Sequence, residues 1–312
     1  MQKLLSNFKV VIMKNKKPHH ILTRSLIVLV IFIGGSLTAQ NNWSTTIPGK
    51  DLKELVYKVV DGDTLKMQLY SPDNWSTAKA YPTIVFYFGG GWNGGSLDQF
   101  RAQAGYFASR GMVTVLADYR VKSRHGTTPY ESVKDAKSAV RYLKGNAANL
   151  QVDTTSMVTA GGSAGGHLAA AVALLPGVNE ITDNLEIDTK VSAVILYNAV
   201  VDNGPGEGGF QHERMGENYL DISPIHHIEK GAPPTLLFLG AQDHLIPVSV
   251  AEEYKSKMDA VGSRCDVFIY EGQGHGFFNP KVKTAEYYKK TTYEADKFLN
   301  SLGHIKGKPT IE

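Results

Sequence analysis

The run VTAGGSAGGHLAAAVALL, residues 158–175, sets four glycines around one serine, Ser163, between a β-branched stretch and a series of alanines and leucines. Glycine inside a regular element loses more backbone freedom on folding than any other residue, so a cluster of four calls for a compensating reason. The order of the parts supplies it. A strand pattern runs into Gly161-Gly162-Ser163-Ala164-Gly165, and an alanine-rich helix pattern follows at once. G-x-S-x-G between a strand and a helix is the signature of a sharp, strained turn that lifts a serine hydroxyl above the end of a sheet. Neighbouring backbone must pass close to such a turn. Gly161 and Gly165 leave the space that a Cβ would fill, and Gly166 with the alanines allows tight packing of helix on sheet.

Outward from this turn the chain alternates between strand and helix patterns. Apolar or alternating runs at 55–60, 64–70, 83–88, 112–119, 156–161, 191–200, 235–240 and 265–272 predict eight strands. The first two are separated by Asp-Gly-Asp and read as an antiparallel hairpin. The run TIVFYF at 83–88 is apolar throughout, as expected of a strand buried on both faces. Helical patterns lie between the later strands; in one of them Val133, Ala136, Val140 and Leu143 share a face and Gly145 closes it. A hairpin followed by strand–helix alternation implies one mostly parallel, eight-stranded α/β sheet with helices on both faces. The long irregular stretch 202–225 is expected to form a partly ordered flap beside the site.

A serine hydroxyl is a poor nucleophile at its own pKa and needs a base. The stretch TLLFLGAQDH supplies Asp243 just past one strand, and FIYEGQGHGFF supplies His275 just past the last. Side chains at the carboxyl ends of strands gather in the site of an open α/β sheet. The order Ser163, Asp243, His275 is therefore expected to form a nucleophile–acid–base set. Asp202 is the competing acid. His167, His226, His227 and His244 are competing histidines, with His167 assigned to packing or capping. FGGGWNGG, residues 88–95, offers backbone N–H groups: Gly90 or Gly91, with Ala164, are expected to form an oxyanion hole. The other use of such glycines is a phosphate loop, but no Lys-Ser or Lys-Thr pair follows. No His or Cys cluster has metal-ligand spacing, the single cysteine is Cys265, and neither a metal nor a cofactor is expected.

The first 39 residues differ from the rest. They carry six basic side chains and no acidic one, followed by LIVLVIFI at 26–33 and the small residues GGSLTAQ. This reads as a secretory signal peptide spanning 1–39, with cleavage after Ala39, ahead of a single catalytic domain at 40–312. The apolar run is short of the roughly 20 residues that a membrane span needs, so no stable span is expected in the mature chain. The whole chain has 33 basic against 30 acidic residues, or +3; without the leader 27 face 30, and the balance is −3. That balance gives no reason to expect nucleic acid as a partner.

The motifs FGGGW, ADYR (117–120), DAKSAVRYL (135–143), GGSAGGHLA, SPIHHI (223–228), PPTLLFLGAQDHLIP and YEGQGHGF follow one another in order. With them the chain resembles the α/β-hydrolase superfamily. More narrowly, it is similar to the esterase branch related to hormone-sensitive lipase and to bacterial acetyl-xylan and feruloyl esterases. The resemblance implies an α/β-hydrolase fold and cofactor-free hydrolysis through an acyl-enzyme. It also implies a small-molecule or carbohydrate ester as substrate, losing an acetyl or aromatic acyl group; the leader itself is what predicts a periplasmic or extracellular location. Trp92, Tyr119, Arg120 and the 202–225 loop are then expected at the pocket edge. One departure stands out. The family loop begins His-Gly-Gly-Gly, and here Phe88 replaces the histidine; the loop is expected to be held by packing of Phe88 and Trp92. The rival readings are a peptidase of the prolyl-oligopeptidase type, a lipase, and a catalytically silent binding protein on the same scaffold.

Overall fold

The computed structural model describes residues 52–73, 75–282 and 285–311; the expected signal peptide lies outside them. Eight strands form one sheet: β1 (Leu52–Val60), β2 (Asp63–Tyr70), β3 (Tyr81–Tyr87), β4 (Val113–Ala117), β5 (Val152–Gly162), β6 (Ala193–Tyr197), β7 (Thr235–Gly240) and β8 (Cys265–Tyr270). Their spatial order is β1-β2-β4-β3-β5-β6-β7-β8. β1 pairs antiparallel with β2 and β2 antiparallel with β4, and from β4 onward every pairing is parallel. The expected fold class is the observed one. The β1–β2 hairpin turns at Asp61 and Gly62, both at positive φ (54° and 86°), which matches the twist of the flanking strands.

The helices are α1 (Arg101–Ser109), α2 (Lys122–His125), α3 (Pro129–Gly145), α4 (Ala147–Leu150), α5 (Ala164–Leu174), α6 (His212–Met215), α7 (Val248–Ala260) and α8 (Glu286–Ser301). α3 starts where the sequence provides a cap: Pro129 takes the first position, and Thr128 N donates to Glu131 Oε2 at 2.9 Å. The strands β4, β6 and β7 are buried at every position because each face of the sheet has its own core. Val85 and Tyr87 of β3 point into a core with α3, α5 and α7, while Ile84 and Phe86 point into one with α1 and α8. Each fully buried Val, Leu or Phe contributes roughly 1.5–3 kcal/mol. Among the described residues no helix is long and apolar enough to cross a membrane.

Two elements differ from the sequence reading. β6 ends at Tyr197, because Asn198 turns to φ 45° and leaves the sheet. The 202–225 stretch holds α6 and two 3-10 turns, Tyr219–Asp221 and Pro224–His227.

Candidate active site

Ser163 stands between β5 and α5 at φ 53°, ψ −121°. A non-glycine residue held there stores roughly 1–3 kcal/mol of backbone strain. Three backbone hydrogen bonds hold it: Ser163 N donates to Tyr197 O at 2.9 Å, and Ser163 O accepts from His167 N at 3.0 Å and Val200 N at 3.2 Å. The surrounding glycines serve close approach. A Cβ on Gly161 would lie 2.2 Å from Gly165 O, one on Gly165 2.1 Å from Tyr87 O, and one on Gly166 2.5 Å from Ala199 Cβ. Ser163 is part-exposed while the residues on either side of it are buried.

The turn after β7 carries Asp243, whose side chain is wholly buried and fully hydrogen-bonded. Oδ1 accepts from Leu245 N at 2.9 Å and Ile246 N at 3.1 Å. Oδ2 accepts from Asn198 Nδ2 and from His275 Nδ1, each at 2.7 Å. Burial alone would raise the carboxyl pKa. The hydrogen bond from His275, the two backbone N–H donors and the charge of His275 outweigh it, so Asp243 titrates below its ordinary value. His275 follows β8 with its side chain 19 % exposed, enough to meet a ligand. Its loop is sewn to the Asp243 turn by Gln242 N donating to Gln273 O at 2.8 Å. Three residues further on, Phe278 packs so closely on Gly162 that a Cβ there would lie 2.5 Å from Phe278 Cζ.

The ends of β5, β6, β7 and β8 thus converge. Asn198, just past β6, links the strand beside Ser163 to the carboxylate of Asp243. No motif marks it; an asparagine just past the strand lying between those of serine and acid is the signal, and it needs the strand order to be read. Among the described residues no hydrogen bond joins Ser163 Oγ to His275. Nucleophile–base contacts commonly tighten only when substrate arrives. The competing groups have other roles. Asp202 lies 3.4 Å from His226, and His167 is buried with Nε2 donating to Ile222 O at 2.7 Å.

The glycine loop lies directly against the serine turn, since a Cβ on Gly89 would be 3.2 Å from Ser163 Cβ. Gly90, Gly91 and Trp92 all take positive φ (136°, 60° and 54°), which turns the loop back on itself. The loop's other groups are engaged: Gly89 N donates to Gln99 Oε1 at 2.6 Å, and Gly90 O accepts from Asn93 N at 3.0 Å. The N–H groups of Gly90, Gly91 and Ala164 enter no hydrogen bond among the described residues.

Phe88 is held by packing, as expected, and by a hydrogen bond to its carbonyl that the sequence does not announce. Its ring stacks on Tyr119 at 4.2 Å, and Tyr119 Oη donates to Phe88 O at 2.6 Å. Trp92 instead meets His167 edge-on at 5.0 Å. The pocket-edge expectation is corrected accordingly. Trp92 and Tyr119 have no exposed surface, and Arg120 is also buried. Arg120 donates from Nε to Asp135 Oδ2 at 2.9 Å and from Nη2 to Glu180 Oε2 at 3.0 Å, where Lys58 also binds both carboxylates. All three are enclosed by protein and offer no surface at a pocket edge.

Comparison with known proteins places the chain in a family. The BD-FAE family model matches residues 67–207, and the Dienelactone hydrolase family model matches 216–304. Esterase 2 of Thermogutta terrifontis, in its apo form, superposes with a TM-score of 0.79 at 41% identity, covering 84% of this chain and 98% of that one. The chain belongs to the α/β-hydrolase esterases. Esterase LipC of Mycobacterium tuberculosis is 32% identical over 223 residues, 64% of this chain and 54% of LipC. Isoprenylcysteine alpha-carbonyl methylesterase ICME of Arabidopsis thaliana is 26% identical over 247 residues, 72% of this chain and 57% of ICME. This α/β-hydrolase spans about half the length of the curated relatives it matches. Thermogutta terrifontis esterase 2 has also been captured phosphorylated by paraoxon, and with propionate bound.

Proposed function

We propose that the protein is an exported serine carboxylic ester hydrolase in which Ser163, Asp243 and His275 act together. The observation that carries the reading is the 2.7 Å contact between His275 Nδ1 and the buried Asp243 carboxylate, at the strand ends that also present the strained Ser163. With Nδ1–H given to Asp243, His275 Nε2 is the free base. It takes the Ser163 proton as Oγ attacks the ester carbonyl, and Asp243 stabilises the imidazolium that forms. The N–H groups of Ala164 and of Gly90 or Gly91 receive the oxyanion, each worth roughly 3–4 kcal/mol of barrier. His275 returns the proton to the departing alcohol, leaving Ser163 acylated. It then deprotonates a water whose attack releases the acid and restores the serine.

For substrate we propose a carbohydrate ester that loses an acetyl or aromatic acyl group, supported by the motif resemblance and the BD-FAE match. Export rests on the composition of residues 1–39. Ser163→Ala is expected to lose p-nitrophenyl acetate hydrolysis by at least about a thousandfold while staying folded. Near-wild-type turnover from that variant overturns the mechanism. Paraoxon labelling, located on the Ser163 peptide by mass spectrometry, separates an enzyme from a silent binding protein. Relative rates on acetylated xylan, feruloylated sugars, long-chain acyl esters and prolyl peptides decide between the esterase, lipase and peptidase readings.

A further inference from the structure

Seven arginines fall within the described residues, and six of them pair with a carboxylate. Arg101 binds Asp98, Arg110 binds Asp296, Arg120 binds Asp135, Arg124 binds Asp118, Arg141 binds Asp183 and Arg264 binds Asp266. Even Arg264, with its side chain 39% exposed, keeps its partner. Arg214 alone has no carboxylate among the described residues. It lies on α6 in the 202–225 flap, half-buried, and its Nη1 donates to Gly91 O at 2.5 Å. Its guanidinium carbon stands 5.9 Å from the Trp92 ring centre. Burial alone lowers its pKa, with no neighbouring charge acting against that effect.

A partly desolvated cation is costly unless something compensates its charge. A guanidinium offers five N–H donors, and among the described residues this one spends a single donor, on a backbone carbonyl. That carbonyl belongs to the loop whose Gly90 and Gly91 N–H groups face the reacting ester in the proposed mechanism. The unmatched charge is therefore set on the flap at the edge of the reaction centre.

Resting on the esterase reading above, we infer that Arg214 selects esters that carry a carboxylate, which its remaining donors bind while the ester carbonyl occupies the oxyanion hole. One planar guanidinium matches one carboxylate in both charge and geometry. The carboxylate belongs to either half of the ester: the acyl half, as in a dicarboxylic acid hemiester, or the alcohol half, as in an acylated uronate.

Two substrate pairs separate those sources. Mono-p-nitrophenyl glutarate against p-nitrophenyl valerate tests the acyl half, and p-acetoxybenzoate against p-acetoxybenzamide tests the alcohol half. The readout is the charged-to-neutral ratio of kcat/KM, in which any general effect on the oxyanion loop cancels. In Arg214→Met the ratio of one pair is expected to fall at least about tenfold, the low end for a charge-assisted contact. Arg214→Lys retains part of it, and added salt shrinks the wild-type ratio. If both members of each pair fall together and the ratios hold, Arg214 only braces Gly91 and the inference is overturned. If the wild type hydrolyses no ester at all, the esterase reading is what fails. Calorimetric binding of p-acetoxybenzoate to the wild type and to Arg214→Met then still decides the role of Arg214, and equal affinities overturn it.

Discussion

His167 gives a test of the site that needs no substrate. It lies four residues beyond Ser163 on α5, wholly buried, with its ring edge-on to Trp92. A carbonyl only accepts, so the contact with Ile222 O at 2.7 Å fixes the proton on Nε2. Burial drives the imidazole pKa down to about 4, against the upward pull of Ile222 and Asn203. An unfolded chain titrates near 6.5. Between these values the unfolded state holds the extra proton, so stability is complete above about pH 6.5 and is lost as pH falls towards 4. The gap corresponds to about 3 kcal/mol across the window, with about 2 kcal/mol gone by pH 5. His167→Gln keeps an amide donor for Ile222 O and has nothing to titrate. Urea unfolding at about pH 8 and about pH 5, with unchanged m, measures the difference. The wild type is expected to lose about 2 kcal/mol more than the variant between the two conditions. Parallel losses in the two proteins would refute a neutral, buried His167.

Two further perturbations probe the support of the glycine loop and the buried ion-pair cluster around Arg120. Tyr119→Phe keeps the ring stack on Phe88 but leaves Phe88 O without its donor, which costs roughly 1–3 kcal/mol. Turnover of p-nitrophenyl acetate should drop about tenfold with KM nearly unchanged, a change in kcat alone being the mark of lost transition-state stabilisation. Asp135→Asn removes one of the two carboxylates that Arg120 and Lys58 share, leaving Glu180 to face both cations, and is expected to destabilise by about 3–5 kcal/mol, read by thermal or urea unfolding.

The features legible in the sequence were those set by local pattern. The serine turn needs a strand, two close-approach glycines and a helix in immediate succession, and all of them lie within one short stretch. The flanking loops ending in Asp243 and His275 follow apolar strands whose type is plain from their runs. Tyr119 and Arg120 were misplaced because a polar pair just past a strand looks locally like a rim. Tyr119 is covered by Phe88 and Arg120 is matched by Asp135 of α3 and by Glu180, and nothing in ADYR announces that Glu180 and Lys58 will arrive. The bracing of Phe88 was missed for a related reason. Its partner lies 31 residues away and is reached only because β3 and β4 are neighbours in the sheet. Asn198 was invisible because its role depends on β6 lying between β5 and β7, a fact of strand order that no window of sequence carries.

That strand order also explains how the hydroxyl is held without a hydrogen bond to the imidazole. Ser163 N is tied to the last residue of β6, Tyr197, and Asn198, the next residue, is tied to Asp243. Serine and acid are thus fixed to adjacent residues of one buried segment, and His275 is fixed to the acid. A shift of that segment would carry Ser163 and His275, the proposed nucleophile and base, together. The strain at Ser163 is sustained by the same backbone bonds, so relaxing it would require breaking the contact that sets the geometry. In the proposed mechanism pre-organisation therefore lies in the main chain, and the serine hydroxyl has only to turn towards His275 when an ester fills the site.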